Sequence, residues 1–299
     1  MTWIALTVWA AFAQTVRNAA QRSLVGELGT LGATLVRFVY GLPFAALWLG
    51  TVAVATGLPL PSAGMAFAGW LVLGSVMQIS GTALLLRTME ERNFAVGVAY
   101  SKSEVLQVAL FSFVLAGDRL TPVAALAVAI GTAGVLLLTP ADPAHPWRSL
   151  LSGLGSRSAL LGLACGGSFA LSAVAFRAAM RTLPTPSFLL AAACTLLGAQ
   201  ALQTLLLGTW LHRRAPGTLT RVAKAWRASL FAGFMGAAAS VGWFSAFALQ
   251  PVTYVRTLGL VEILFGYVAS RRVFREHPSR REVAGMALLV AGVIAIAFA

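Results

Sequence analysis

The chain has 299 residues, 59% of them hydrophobic and only 10% charged, with a mean hydropathy of +0.83. Soluble domains carry roughly 25% charged residues, so a water-soluble fold is excluded and an all-α membrane protein is expected. The formal net charge of +13 sits in alternate loops, which argues against nucleic acid and for contact with anionic lipid headgroups.

A spanning helix needs about 20 apolar residues. Ten such stretches are predicted, near residues 2–20, 30–54, 63–87, 94–116, 121–139, 157–179, 186–211, 226–248, 252–273 and 280–298. Ala11-Phe12-Ala13 resembles a signal-peptidase site, but no Lys or Arg precedes the first apolar run. The basic n-region is therefore missing, and residues 2–20 are read as a retained first span. Its polar residues Gln14, Arg17, Asn18 and Gln21 fall on one face, at i, i+3, i+4 and i+7. Span two carries Arg37 two turns in. Span three has a polar face at Gln78, with Gly74, Gly81 and Thr82.

Span four carries the most chemistry. Tyr100, Glu104, Gln107 and Phe111 share one helical face, while Lys102 points about 200° away from Glu104. Span five is apolar. The longest connection, Pro140 to Ser156, holds three prolines. It divides the chain into a first unit at 1–140, a linker at 141–156 and a second unit at 157–299. Span six offers Ser168 and Ser172, and span eight offers Trp243 and Phe247. Span nine places Glu262 near mid-length, flanked by Gly259 and Gly266; span ten is apolar again. Arg17 and Arg256 lie near span ends, where a long cationic side chain is expected to snorkel to the interface.

The two units repeat. Glu104 and Glu262, Asp118 and Glu276, Gly134 and Gly292, and Val135 and Val293 are each 158 residues apart. Two parallel copies of a five-helix unit, joined directly, must face opposite ways across the bilayer. Two inverted five-helix repeats are therefore expected, with the substrate site between them. Odd-numbered loops and their helix ends hold fifteen Lys and Arg; even-numbered loops hold Arg119, Arg177 and Arg181. This bias predicts a multi-pass protein of the inner cell membrane, odd loops in the cytoplasm and both termini outside. Cys165, Cys194 and the three histidines lack metal-ligand spacing. No Walker loop, dinucleotide fingerprint or nucleophile elbow is present, so no metal, cofactor, ATP-driven step or enzymatic activity is expected.

Phe113-Val114-Leu115-Ala116-Gly117-Asp118-Arg119-Leu120-Thr121, followed by Gly131-Thr132-Ala133-Gly134-Val135-Leu136-Leu137, is similar to the end of an EamA-type repeat. Phe274-Arg275-Glu276-His277-Pro278-Ser279 with Ala291-Gly292-Val293, and Val36-Arg37-Phe38, fit the same pattern. The chain thus resembles the ten-helix drug/metabolite transporter superfamily over nearly its full length. Asp118 stands where the family usually has Glu. The resemblance implies export of small metabolites such as amino acids. It also implies that the fifth helix of each half lies outside the cavity, leaving spans five and ten as a surface for a homodimer. Many relatives keep both termini in the cytoplasm, opposite to the charge bias here.

Charges inside a span cost roughly 2.5–3.5 kcal/mol each on insertion scales and mark function. Glu104 and Glu262 are therefore read as proton-coupling groups, Glu262 the weaker because its copy lacks the Tyr, Gln and Phe. The substrate site is expected at Gln14, Asn18, Arg37, Gln78, Tyr100, Lys102, Glu104, Gln107, Trp243 and Glu262. Arg37 and Lys102 balance the two carboxylates, which suits a zwitterion. A multidrug or cation exporter and a non-transporting membrane partner are the alternatives.

Overall fold

The computed structural model describes residues 2–107, 122–138 and 156–297, and every element among them is helical. In chain order these are α1 (Thr2–Val39), α2 (Leu42–Thr56), α3 (Met65–Glu91), α4 (Phe94–Ser101), α5 (Pro122–Leu138), α6 (Arg157–Arg181), α7 (Phe188–Arg214), α8 (Thr218–Lys224), α9 (Trp226–Leu249), α10 (Val252–Leu258), α11 (Val261–Arg272) and α12 (Arg280–Ala297). Phe111, Asp118 and the linker at 141–155 lie outside the described residues.

Among the described residues, five stretches are long and apolar enough to cross a membrane: Thr2–Thr56, Met65–Glu91, Arg157–Arg181, Phe188–Arg214 and Trp226–Leu249. The first is not one rod. Gly29 adopts φ 70°, ψ 165° inside α1, a left-handed backbone that glycine tolerates at no steric cost. Gln21 Nε2 then donates to Ala33 O at 2.7 Å. Twelve residues along a straight helix span about 18 Å, so the chain must reverse at Gly29. Gln21 and Ala33 thus face each other across the bend. The second limb bends again at Gly41, where a Cβ would lie 2.5 Å from Arg37 O, and restarts on Pro43.

Span four and span nine, expected as unbroken helices, are each interrupted at mid-length. Asn93 caps α4 by accepting from Val96 N at 2.8 Å. At its end Lys102 N bonds Ala99 O and Ser103 N bonds Tyr100 O, three residues back rather than four. The helix resumes at 104. Between α10 and α11, Leu260 N bonds Thr257 O and Glu262 N bonds Gly259 O in the same way. The physical reason is local: Ser101-Lys102-Ser103 offers hydroxyls that bond their own backbone at Val98 O and Tyr100 O. Gly259 is a poor helix residue. Short 3₁₀ stretches inside helices mark hinges, and these two sit one register apart from repeat-equivalent positions.

Packing joins the halves. Glycines on α9 let α1 approach closely; a Cβ on Gly242 would lie 2.8 Å from Ala10 Cβ. Phe176 and Phe169 of α6 fill the space left by Gly74 and Gly81 of α3. α1 thus packs on α9, and α3 on α6. α4 packs on α11, and α5 on α12. In the last pair a Cβ on Gly134 would lie 2.6 Å from Leu289 N, so the backbones meet directly. Small residues permit such approach where lipid gives no hydrophobic drive.

Candidate functional site

The two interrupted helices bring four ionisable groups to the middle of the protein. Glu262 lies in the first turn of α11, where the exposed N–H groups and the helix dipole favour a carboxylate. It is 1% exposed, and the other half of the chain satisfies it. Lys102 Nζ pairs with its Oε2. Gln14 Nε2 donates to Oε2 at 2.7 Å, and Asn18 Nδ2 donates to Oε1 at 3.2 Å. A second layer holds these donors in place. Trp243 Nε1 donates to Gln14 Oε1 at 2.9 Å, and Arg17 Nη2 donates to Asn18 Oδ1 at 2.5 Å.

Glu104 is arranged differently. It is 2% exposed, and Arg256 Nη1 approaches its Oε1 to 3.3 Å. That is ion-pair distance without hydrogen-bond alignment: neither carboxylate oxygen accepts a hydrogen bond among the described residues. Glu104 and Arg256 instead border a cavity of about 70 Å³ with Val252 and Val174, room for water. The pairing is reciprocal. Lys102 of the N-terminal half serves Glu262 of the C-terminal half, and Arg256 of the C-terminal half serves Glu104 of the N-terminal half.

Arg17 and Arg256 do not snorkel. Arg17 is fully buried and the side chain of Arg256 is 11% exposed. The expectation failed because α1 continues to Gly29, which places residue 17 deep in its helix rather than near its end. Arg256 is drawn inward by Glu104 and by ring faces, with its Cζ 4.9 Å from Trp243 and 5.1 Å from Phe247.

A narrow central cavity of about 20 Å³ lies between the halves, enough for about one water. Gln14, Arg37, Gln78, Trp243 and Arg256 line its polar side, and Phe169, Phe176, Phe244 and Phe247 its apolar side. Arg37 donates from Nη1 to Thr82 Oγ1 at 2.9 Å. Gln203 donates to Gln78 Oε1 at 2.8 Å.

Of the residues expected at the site, Gln14, Arg37, Gln78 and Trp243 border this cavity. Asn18, Lys102 and Glu262 form the ionic network beside it, and Glu104 faces the smaller cavity. Tyr100 packs against Gly162. Gln107 donates to Ser103 Oγ and Leu163 O, at 3.0 and 2.9 Å. Arg256, expected to reach the interface, and Gln203 were not among the expected site residues; their polarity is visible in the sequence, but their partners lie far along the chain.

A second cluster lies around Glu276 and Glu282. Arg22 Nη2 lies 2.5 Å from Glu276 Oε1, while Phe94 N and Ser270 Oγ donate to Oε2 at 2.9 and 2.7 Å. Arg92 and Asn93 bond Glu282 at 3.0 and 3.1 Å. Burial pushes the Glu276 carboxyl up, but the hydrogen bonds and the Arg22 charge outweigh it and hold the group below the usual carboxylate range. A depressed folded value contributes stability above the unfolded value of about 4.3 and loses it as pH falls through the folded one. Thermal stability of the solubilised protein is therefore expected to be flat from pH 6 to 8 and to drop in acid. Glu276→Gln should start lower and converge with the wild type in acid; parallel curves at all pH would show that the ion pair contributes nothing.

Residues 156–298 match the EamA-like transporter family, of the drug/metabolite transporter superfamily. No curated protein matches the chain. Among solved structures, one crystal structure of a protein is similar over 100% of this chain and 96% of its own, at 19% identity and a TM-score of 0.58. At that identity the likeness shows the fold alone.

Proposed function

We propose, from the premise that residues 156–298 form an EamA-like transporter domain, that the chain is a secondary transporter with ten spans in two inverted repeats. It moves small organic metabolites, amino acids among them, outward by alternating access. One observation carries this reading. Each half has a helix with a mid-length hinge followed by a buried carboxylate, and each carboxylate is engaged by a cation of the opposite half. Parting the halves on one side must weaken one pair and leave the other, so the two pairs form a switch with two settings. The near-closed central cavity fits a state between the two openings, with the odd-loop end latched by Arg22–Glu276. The packing of α1 on α9 and of α3 on α6 supports the inverted symmetry. Glu104, the carboxylate with unfilled acceptors, is the group that takes up and releases the coupling proton. Any self-association uses the outer faces of spans five and ten.

The test is counterflow in liposomes preloaded with mixtures of amino acids and organic acids. Accumulation of label in protein-containing vesicles alone is the expected result. Well-folded protein that exchanges nothing would favour a non-transporting membrane partner. Orientation is tested separately: alkaline phosphatase fused after Ala299 should be active and a fluorescent protein there dark, as the loop charges require. A bright fluorescent fusion would place the termini in the cytoplasm.

A further inference from the structure

The buried charges do not balance. By sequence, Glu104 and Glu262 are the carboxylates at the middle of predicted spans, and Arg17, Arg37, Lys102 and Arg256 are the cations buried with them. Lys102 belongs to Glu262 and Arg256 to Glu104. Neither Arg17 nor Arg37 forms an ion pair among the described residues; Arg17 meets Glu262 only through the Asn18 amide. Arg17 reaches only a neutral amide, and its Nη1 is buried without a partner. Arg37 is 3% exposed and borders the central cavity; among the described residues it has one hydrogen bond, to a threonine hydroxyl, and the face of Phe38 at 5.2 Å. A guanidinium presents five donors and is matched by the planar oxygens of a carboxylate or phosphate. Burying two of them unpaired is costly, and folding alone gives no reason for it.

We infer that the central cavity takes an organic anion, its carboxylate or phosphate seated on Arg37 within the field of Arg17, its apolar body against Phe169, Phe176 and Phe244. This rests on the transporter reading and narrows its substrate class. A neutral amino acid fits less well, because its ammonium finds Glu262 fully engaged and Glu104 turned toward the other cavity, beside Arg256. A lipophilic cation fits worst. The aromatic faces that would hold it carry Arg256 over Trp243 and Phe247 and Lys102 at 5.7 Å from Trp243. The Gln78 amide nitrogen, which has no acceptor among the described residues, is a second donor to the bound anion. The cavity must widen to admit such a molecule, so the ligand acts by selecting the opened form.

The experiment uses the purified 299-residue chain and four phenyl-bearing probes of similar size: 3-phenylpropionate, phenyl phosphate, phenylalanine and 2-phenylethylamine. Thermal shift and tryptophan-fluorescence titration read binding without requiring transport. At least one of the two anions should bind at least tenfold more tightly than the zwitterion, and the amine should not bind. Carboxylate against phosphate preference then identifies the head group. Arg37→Gln should lose at least tenfold in affinity for that anion, while Arg37→Lys, which keeps the charge and serves as the folding control, should lose less. Equal or tighter binding of phenylalanine or the amine overturns the inference, as does binding of none of the four, or an Arg37→Gln protein of wild-type affinity. Selective anion binding by a protein that shows no counterflow would sink the transporter reading and leave the anion site standing.

Discussion

Glu262→Gln is expected to cost the protein its fold. The carboxylate accepts from Lys102, Gln14 and Asn18 at once. A carboxamide has one acceptor oxygen and adds an N–H₂ facing donors. Lys102, 1% exposed, would be left as a buried charge with no counterion. Removing one partner of a buried pair costs about 3–5 kcal/mol, a large share of the 5–15 kcal/mol that holds a typical domain together. The measurements are the monodisperse fraction after solubilisation and the melting temperature. The double substitution Lys102→Met with Glu262→Gln should recover much of the loss, because no unpaired charge remains. A single Glu262→Gln protein of wild-type yield and melting temperature would show that the network does not hold the halves together. The sequence pattern ranked Glu262 as the lesser carboxylate, since its own helix lacks polar neighbours. Its neighbours come from span one and span four instead, more than 150 residues away.

That difference illustrates what was legible. Helical class and the reversal between the first two spans followed from hydropathy, because it is periodic along the chain. The polar face of span one was readable by spacing, and the structure turns Gln14 and Asn18 onto one partner. Which cation meets which carboxylate was not readable. Sequence gave Arg256 a position and a charge, but its inward course depends on Glu104 and the Trp243 face, both distant in the chain. The mid-span 3₁₀ turns were hidden for another reason. Ser101, Ser103 and Gly259 are common in membrane helices as packing residues, and their backbone effect emerges only from the hydrogen bonds actually formed.

Glu104→Gln should do the opposite of Glu262→Gln: leave the protein folded and stop it working. The carboxylate oxygens of Glu104 accept no hydrogen bonds among the described residues, so the amide breaks no bond there. Arg256 loses its counterion but keeps two aromatic faces and some exposure, and cation–π contact is worth about 0.5–2 kcal/mol. The fold is therefore expected to lose far less than at Glu262. Function is expected to fail because the amide keeps the shape and removes the titratable group beside the small cavity. Two transport modes separate the roles. Accumulation driven by a pH gradient should fall to the level of empty liposomes. Counterflow, which needs no net proton movement, should persist if Glu104 serves coupling alone, and should vanish if the conformational switch also needs its charge against Arg256. Gradient-driven accumulation at the wild-type rate would place the coupling proton elsewhere and reduce Glu104 to the counterion of Arg256. Arg256→Gln then supplies the reciprocal measurement. It should impair the switch as well, since it leaves Glu104 without the opposite half's charge in either setting.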